Sequence, residues 1–252
     1  MKLHSVQAAQ TSTFEIDTPS MGLILSQIPE GAKIKVDLVT TNANDVNRIP
    51  EVTIEELMDI YCYLGLDHLR NHNVDGSYYE RSPIILFSAD GALPFDDDTK
   101  YKVTLSNLGG ASFDVHNLDS AKLGTPFLIK RGEVRSTIAE RTENYLNVDF
   151  LLFSGATEPT KLTFLVNDLM ADGKPKARKV EISKEQLGAY KDSFEVSKLD
   201  TSGAAGYSNG LVSLGYPIDA LDAITIHHDT GAGEDLKYLT VDYKATQTRL
   251  VK

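Results

Sequence analysis

Two stretches of this chain, 128 residues apart, open on the same phrase and run into the same helix-start signal. Residues 52–61 read VTIEELMDIY, and residues 180–190 read VEISKEQLGAY. Val52 and Ile54 recur as Val180 and Ile182. In each stretch a hydroxyl residue stands three positions before a Glu or Gln: Thr53 before Glu56, Ser183 before Gln186. That spacing lets the hydroxyl accept from an orphan N–H of the first helical turn, while the Glu or Gln accepts from the N–H of the capping residue. If the surroundings repeat as well, the chain must fold as two versions of one unit.

The surroundings do repeat. In the first half, STFEID (12–17), GLILSQI (22–28) and AKIKVDLV (32–39) read as strands. In the last of these, Ile34, Val36 and Leu38 share one face, and Lys33, Lys35 and Asp37 share the other, which is the period of a half-buried strand. A polar stretch, TTNANDVNRIPE, leads to the first helix over 55–64, with Leu57, Ile60, Tyr61 and Leu64 at helical spacing. A loop, NHNVDGS, and three more strands follow: SPIILFS (82–88), YKVTLSN (101–107) and ASFDVHN (111–117). The second half keeps this order. LNVDFLLFS (146–154) answers GLILSQ, and TKLTFLV (160–166) answers AKIKVDL, with Lys161 standing 128 residues after Lys33. The polar stretch NDLMADGKPKAR, the second helix and a Gly/Ser loop, DTSGAAGYSNG, come next. LVSLGY (211–216), DAITIHHD (222–229) and DLKYLTVDYKA (235–245) close the chain, with Ile224-Thr225-Ile226 answering Val103-Thr104-Leu105. Many short strands punctuated by turn residues predict an all-β fold of two tandem jelly-roll sandwiches, each with one short helix. The first domain is expected over 1–125 and the second over 126–252.

Charge and cysteine content remove several function classes. A net charge of −11 with a pI near 5.0 argues against a duplex DNA or RNA binder, which needs a basic face to displace counterions. The single cysteine, Cys62, allows no intrachain disulfide and no thiolate zinc site, and reads as a small core residue. The N-terminal MKLHSVQAAQTSTFEID has no apolar signal core. Apolar runs such as IILF and DFLLF fall far short of the ~20 residues that span a bilayer.

The repeated strand–cap–helix phrase, the segment TPFLIKRGEVRSTIAERT read as the turn opening the second half, and the ending DALDAITIHHDTGAGEDLKYLTVDYKA together resemble the double jelly-roll major capsid proteins. The small ones of tailless, corticovirus-type bacteriophages with an internal membrane are similar in length and layout. That resemblance implies a homotrimer of pseudo-hexagonal outline, standing upright in an icosahedral shell around a membrane. It implies a virion location, with other copies and minor capsid or membrane proteins as partners and contact with the internal membrane surface. It brings no catalytic, cofactor-binding or metal residues. Other phage structural β-proteins (spike, tail or baseplate) and a carbohydrate-binding sandwich share the β-rich look, although the last needs an aromatic platform and the chain has no Trp.

Several short motifs hold residues that could carry chemistry. Gly206-Tyr207-Ser208-Asn209-Gly210 matches G-x-S-x-G, and Asp222, His227 and His228 follow in Ser…Asp…His order. A nucleophile elbow needs a strand before the serine and a helix after it, and neither is expected from DTSGAA and LVSLGY. A Gly/Ser loop accounts for the motif. His68 and His72 stand four apart without further ligands, whereas zinc takes three or four. His227 and His228 are strand neighbours facing opposite ways, one to pack and one to be solvated. Gly231-Ala232-Gly233 is a lone G-x-G without a βαβ frame. The acidic turns Asp96-Asp97-Asp98 and Glu234-Asp235 are oxygen-rich, so calcium at contacts between trimers is carried as an expectation. Lys174, Lys176, Arg178 and Lys179 lie in a stretch with Pro175, expected as a loop. They read first as guards of a sheet edge, and second as a contact with lipid headgroups or an acidic neighbour.

Overall fold

A computed structural model describes residues 1–26, 28–29, 31–41, 44–63, 70–72, 84–88, 90–93, 98–143, 150–153, 157–169, 173–193, 196–200, 205–208 and 221–242. The chain divides into two compact units. One takes in Met1–Ile129 and Val196–Ser208, and the other takes in Lys130–Glu195 and Asn209–Asp242.

The first unit runs β1 (Lys2–Val6), β2 (Thr11–Ile16), β3 (Gly22–Leu25), β4 (Lys33–Thr40), β5 (Val46–Thr53), α1 (Ile54–Tyr63), β6 (Arg70–His72), β7 (Ile84–Leu86), β8 (Thr99–Ser106) and β9 (Phe113–Leu118). Setting β6 aside, first pairs with last and so on inward: β1 with β9, β2 with β8, β3 with β7, β4 with β5, all antiparallel. This long ribbon is rolled up, so that β3 also meets β9 and β4 also meets β8. Two four-stranded sheets result, β1-β9-β3-β7 and β2-β8-β4-β5. That connectivity is a jelly roll. Period-two patterning drives it. In β4, Ile34 and Val36 are buried between half-exposed Lys33 and Lys35, and in β8 Tyr101, Val103 and Leu105 are buried between exposed Lys100 and Lys102 and their neighbours.

The second unit runs β10 (Leu128–Val134), β11 (Glu140–Glu143), β12 (Phe150–Phe153), β13 (Lys161–Leu169), β14 (Pro175–Ser183), α2 (Lys184–Ser193), β15 (Val196–Asp200), β16 (Ala205–Ser208), β17 (Leu221–His227) and β18 (Leu236–Asp242). Its sheets are β10-β18-β12 and β11-β17-β13-β14, the order of the first unit place for place. The strand expected at 211–216, which would answer β7, lies outside the described residues. Strands β15 and β16 belong instead with the first unit, where β15 runs antiparallel to β16 and parallel to β6. The fold is therefore all-β, a jelly-roll plan used twice, with one short helix after the fifth strand of each plan.

Each plan closes its own core. Val134, Leu151, Phe153, Leu162, Phe164, Ile182, Leu187, Ile224, Ile226, Leu236 and Tyr238 form one buried cluster. In the first unit Ile16, Leu23, Ile34, Val52, Leu57, Tyr61, Ile85, Val103, Leu105 and Val115 are buried. At about 1.5–3 kcal/mol for each large side chain taken from water, these residues dominate the folding free energy.

Several expectations are corrected. The stretch with Pro175 is not a loop, because the start of β14 lies within it, and the polar stretch TTNANDVNRIPE holds most of β5. TPFLIKRGEVRSTIAERT is not a single turn but carries β10 and β11. The opening residues form β1, which the sequence reading passed over. The compact units meet at Ile129/Lys130, and Phe127 is buried in the first unit, where its N–H donates to the Phe87 carbonyl at 2.8 Å.

The repeat keeps its 128-residue spacing at Lys33 and Lys161 and steps to 130 at the caps. Lys33 lies opposite Thr53, and Lys161 lies opposite Ser183. Thr53 and Ser183 are 130 residues apart, not 128. At that spacing EVTIEEL (51–57) aligns with EISKEQL (181–187), Val52 matches Ile182, and Leu57 and Leu187 are both buried. The V-x-I match is a coincidence of sequence. Val180 lies opposite Phe164, three pairs before the cap, and Ile54 is already the first helical residue. The caps do form. Thr53 N–H donates to Glu56 Oε2 at 2.8 Å, and Glu56 N–H donates to Thr53 Oγ1 at 3.1 Å. Ser183 N–H donates to Gln186 Oε1 at 2.9 Å, and Gln186 N–H donates to Ser183 Oγ at 3.4 Å.

Candidate functional site

Ser208 ends β16 rather than lying in a loop, so a strand does precede it. Residues 209–220, where the elbow's helix would stand, lie outside the described residues, as does the side chain of Asp222. Ser208 falls in the first unit, and His227 and His228 fall in the second.

Both of these histidines are engaged structurally. His227 ends β17, half-buried. Its ring lies 3.2 Å from Thr163 Oγ1, and its Nδ1 lies 3.2 Å from Glu140 Oε2. Burial and then the nearby Lys161 ammonium push its pKa down, and Glu140 opposes them. His228 is the packed member of the pair. Its Nε2 lies 2.7 Å from the Glu234 carbonyl, which can only accept, so that nitrogen carries the proton. His68 lies outside the described residues, and His72 stands on β6.

The outer surface of sheet β11-β17-β13-β14 is a polar ladder. Thr142 and Thr225 hydroxyls meet at 2.7 Å, and Lys161 and Lys179 both approach Glu181 Oε1, at 3.5 and 2.9 Å. Lys179 and then Lys161 hold the Glu181 carboxyl below its usual range. The first unit repeats the arrangement with Thr13 and Thr104 hydroxyls at 3.2 Å and Lys33 Nζ 3.7 Å from Glu51. These rungs match cross-strand chemistry that stabilises sheets.

Asp96 and Asp97 of the first acidic turn lie outside the described residues. Asp98 accepts from Thr41 N–H through its backbone carbonyl at 3.0 Å. In the second turn, Asp235 Oδ1 accepts from Ser136 N–H at 2.8 Å, which holds that carboxyl low, and Glu234 Oε2 accepts from Thr157 at 3.1 Å. Gly231-Ala232-Gly233 sits in a short 3-10 turn capped by Asp229, whose Oδ1 accepts from Gly231 N–H at 2.8 Å. Among the described residues no three His, Cys, Asp or Glu side chains gather as a metal site. No described helix is long and apolar enough to cross a membrane. The basic residues Lys176, Arg178 and Lys179 lie on β14, the outer strand of its sheet, with Lys174 just before it, all exposed.

No family model matches this chain, and no curated protein does. Among solved structures it is similar to the major capsid protein P2 of bacteriophage PM2, at 6% identity and a TM-score of 0.48, covering 94% of this chain and 92% of that one. It is also similar to a chain of the Sulfolobus turreted icosahedral virus atomic structure, at 9% identity and a TM-score of 0.32, with 92% and 90% covered. The crystal structure described as the STIV MCP gives 10% identity and a TM-score of 0.29, with 98% and 96% covered. The fold assignment rests on the strand pairing of the chain itself.

Sequence reasoning found the basic cluster but placed it in a loop. The signal that would have placed it correctly is the repeat at its 130-residue spacing, which sets β14 against β5.

Proposed function

We propose that this chain is a structural capsid protein: a homotrimer of pseudo-hexagonal outline that tiles an icosahedral shell around a membrane. The observation that carries this reading is the jelly-roll strand order used twice in one chain. Three copies of a two-sandwich chain present six similar sandwiches around a threefold axis, so a closed trimer can occupy a hexagonal cell of a shell. Each sandwich fills its own core, which leaves loops and polar sheet faces for neighbours. The two neighbours described as major capsid proteins supply the same reading by likeness of name. In it the chain is not an enzyme, its place is the virion, and its partners are other copies, minor capsid or membrane proteins and the membrane surface. Calcium at contacts between trimers belongs to the same proposal.

The test is size-exclusion chromatography with light scattering, followed by negative-stain microscopy of the peak. The expected species has three times the 27.7 kDa protomer mass and a hexagonal outline. Monomers under every condition overturn the proposal. Treating shells with a calcium chelator tests the ionic part, with trimers expected to survive and shells to fall apart. Shells that withstand it refute that part alone.

A further inference from the structure

Five buried side-chain polar atoms among the described residues have no hydrogen-bond partner, and they are unevenly placed. His228 Nδ1 belongs to the second unit. The other four, Thr18 Oγ1, Thr40 Oγ1, Arg48 Nε and Asn117 Oδ1, belong to the first. All four stand at one end of the first sandwich. Tyr101 lies opposite both Ile16 and Leu38, which marks that end across β2, β8 and β4. Thr18 comes two residues after Ile16, and Thr40 comes two residues after Leu38, opposite Thr99. The connection from β2 to β3 joins the two sheets at the same end. On the facing sheet Asn117 lies opposite Leu23, on the same side of β9 as buried Phe113 and Val115. Its Nδ2 donates to the Pro19 carbonyl at 2.9 Å, which fixes the amide beside the Thr18–Pro19 segment.

An irregularity brings Arg48 to this end. Val36 lies opposite Ile49, and the next residue, Asp37, lies opposite Asn47, so Arg48 is the extra residue of a β-bulge. A bulge bends its strand and re-aims a side chain. In the even hairpin of the second unit, Arg178, 130 residues on, is exposed. Arg48 is half-buried instead, and its charge acts on the Tyr101 phenol.

Buried polar atoms without partners are costly, and a half-buried guanidinium without a counter-ion adds to the cost. The chemistry of the four atoms defines what would complete them. Arg48 Nε can only donate, the two threonine hydroxyls can donate, and Asn117 Oδ1 can only accept. The complement is an anion with several bare oxygens and one O–H, a description that hydrogen phosphate meets. Sulfate and phosphodiesters carry no O–H at neutral pH. We propose that this end of the first sandwich binds a hydrogen phosphate ion, which accepts from Arg48, Thr18 and Thr40 and donates to Asn117. Asp17, Asp45 and Asp98 share this end, but all three are exposed, where water and salt screen their charge. The site lies within one unit of one chain, so it stands apart from any reading of assembly.

Full-length protein in a phosphate-free buffer is titrated with inorganic phosphate, followed by calorimetry and by ¹H–¹⁵N NMR. Saturable binding of one ion per chain is expected, with a shift of the Arg48 Nε resonance, assigned through Arg48→Lys. Sulfate and dimethyl phosphate should bind roughly tenfold or more weakly, because each leaves the Asn117 acceptor unpaired. Arg48→Gln should weaken phosphate binding roughly tenfold or more, and Thr40→Val should weaken it less. Phosphate should raise the Tm of the parent and not that of Arg48→Gln. Circular dichroism checks each fold, and Thr40→Val carries the test if Arg48→Gln does not fold. Absence of saturable phosphate binding overturns the proposal, since water alone then completes the four atoms. Equal affinity for phosphate and sulfate overturns it, since charge alone then accounts for binding. Phosphate binding unchanged in both variants places the ion elsewhere and overturns it as well.

Discussion

The hydroxyl of Tyr61 makes two hydrogen bonds with a single residue, Leu86: it donates to the Leu86 carbonyl at 2.7 Å and accepts from the Leu86 N–H at 2.9 Å. Tyr61 is on α1 and Leu86 on β7, so one side chain fastens the helix to the outer strand of the opposite sheet. Burial drives the phenol's pKa far up, which keeps the proton on the oxygen for donation. Phe127 stacks on the same ring, with centroids 6.1 Å apart, and ties the segment leading into the second unit to the same point.

Tyr61→Phe keeps the ring and removes both bonds, leaving the Leu86 N–H and carbonyl buried without them. A loss of about 2–4 kcal/mol is expected from two such groups. Urea denaturation reads it, and a loss under about 0.5 kcal/mol would show that the backbone of β7 finds other partners.

The two caps should differ in weight. Thr53→Ala and Ser183→Ala each remove the hydroxyl acceptor of a reciprocal cap, worth about 1 kcal/mol, and keep the backbone N–H donor. The bonds at Thr53 are partly buried and those at Ser183 exposed, and Gln186 N–H reaches Ser183 Oγ only at 3.4 Å. Thr53→Ala should therefore cost more, measured side by side in denaturant. Equal costs would mean that water replaces both caps equally well.

Asp90 gives a prediction in acid. Burial raises its pKa, but the Thr125 N–H at 2.9 Å, the Ser88 hydroxyl at 2.8 Å and the Lys122 charge outweigh it and hold the carboxyl below its ordinary value. A group lowered in this way stabilises the fold fully above its unfolded value and loses that contribution as pH falls through the folded one. Between about pH 5 and pH 2 the parent should lose more stability than Asp90→Asn. Parallel curves for the two proteins would remove Asp90 from the acid response.

His227 provides a check with opposed neighbours. Its lowered pKa means that the fold prefers the neutral ring, so the associated stability is present above the ordinary value of 6.5 and declines as pH drops from there toward the folded value. Lys161→Gln should raise the pKa, and Glu140→Gln should lower it further. Ring resonances assigned through His227→Gln report both in an NMR titration. Shifts of the same sign in the two variants would contradict the assigned causes.

The inner strands were legible because their two faces differ. β8 alternates between buried apolar and outward polar residues, and β4 does so from Lys33 to Val36, before Asp37 is buried in turn. The outer strands were not, because strands with solvent on several sides lose that alternation. β14 carries lysines and arginine on both faces, and β5 contains Pro50, which reads as a breaker. Pro175 misled in the same way, although the first residue of an outer strand needs no ladder N–H. The repeat is legible at 128 residues in β4 and β13, but at the caps it steps to 130, because the β13–β14 hairpin is two residues longer and the V-x-I phrase hides that step. The shared face of Glu140, His227, Thr163 and Lys161 joins three strands far apart in sequence, and no local pattern announces it.

Two sandwiches of one strand order on a single chain invite a particular error, in which a strand of the first completes the sheet of the second. The hairpins differ where that error would begin. Between β4 and β5 the pairing slips twice, between Ile34 and Val36 and again between Val36 and Asp37, with Pro50 in the slipped part. Between β13 and β14 it never slips. If β5 took the place of β14 beside β13, its slipped pairing would meet a partner built for an even ladder. The irregular strand thus acts as a key cut for one lock, and the two hairpins can share a plan without being interchangeable.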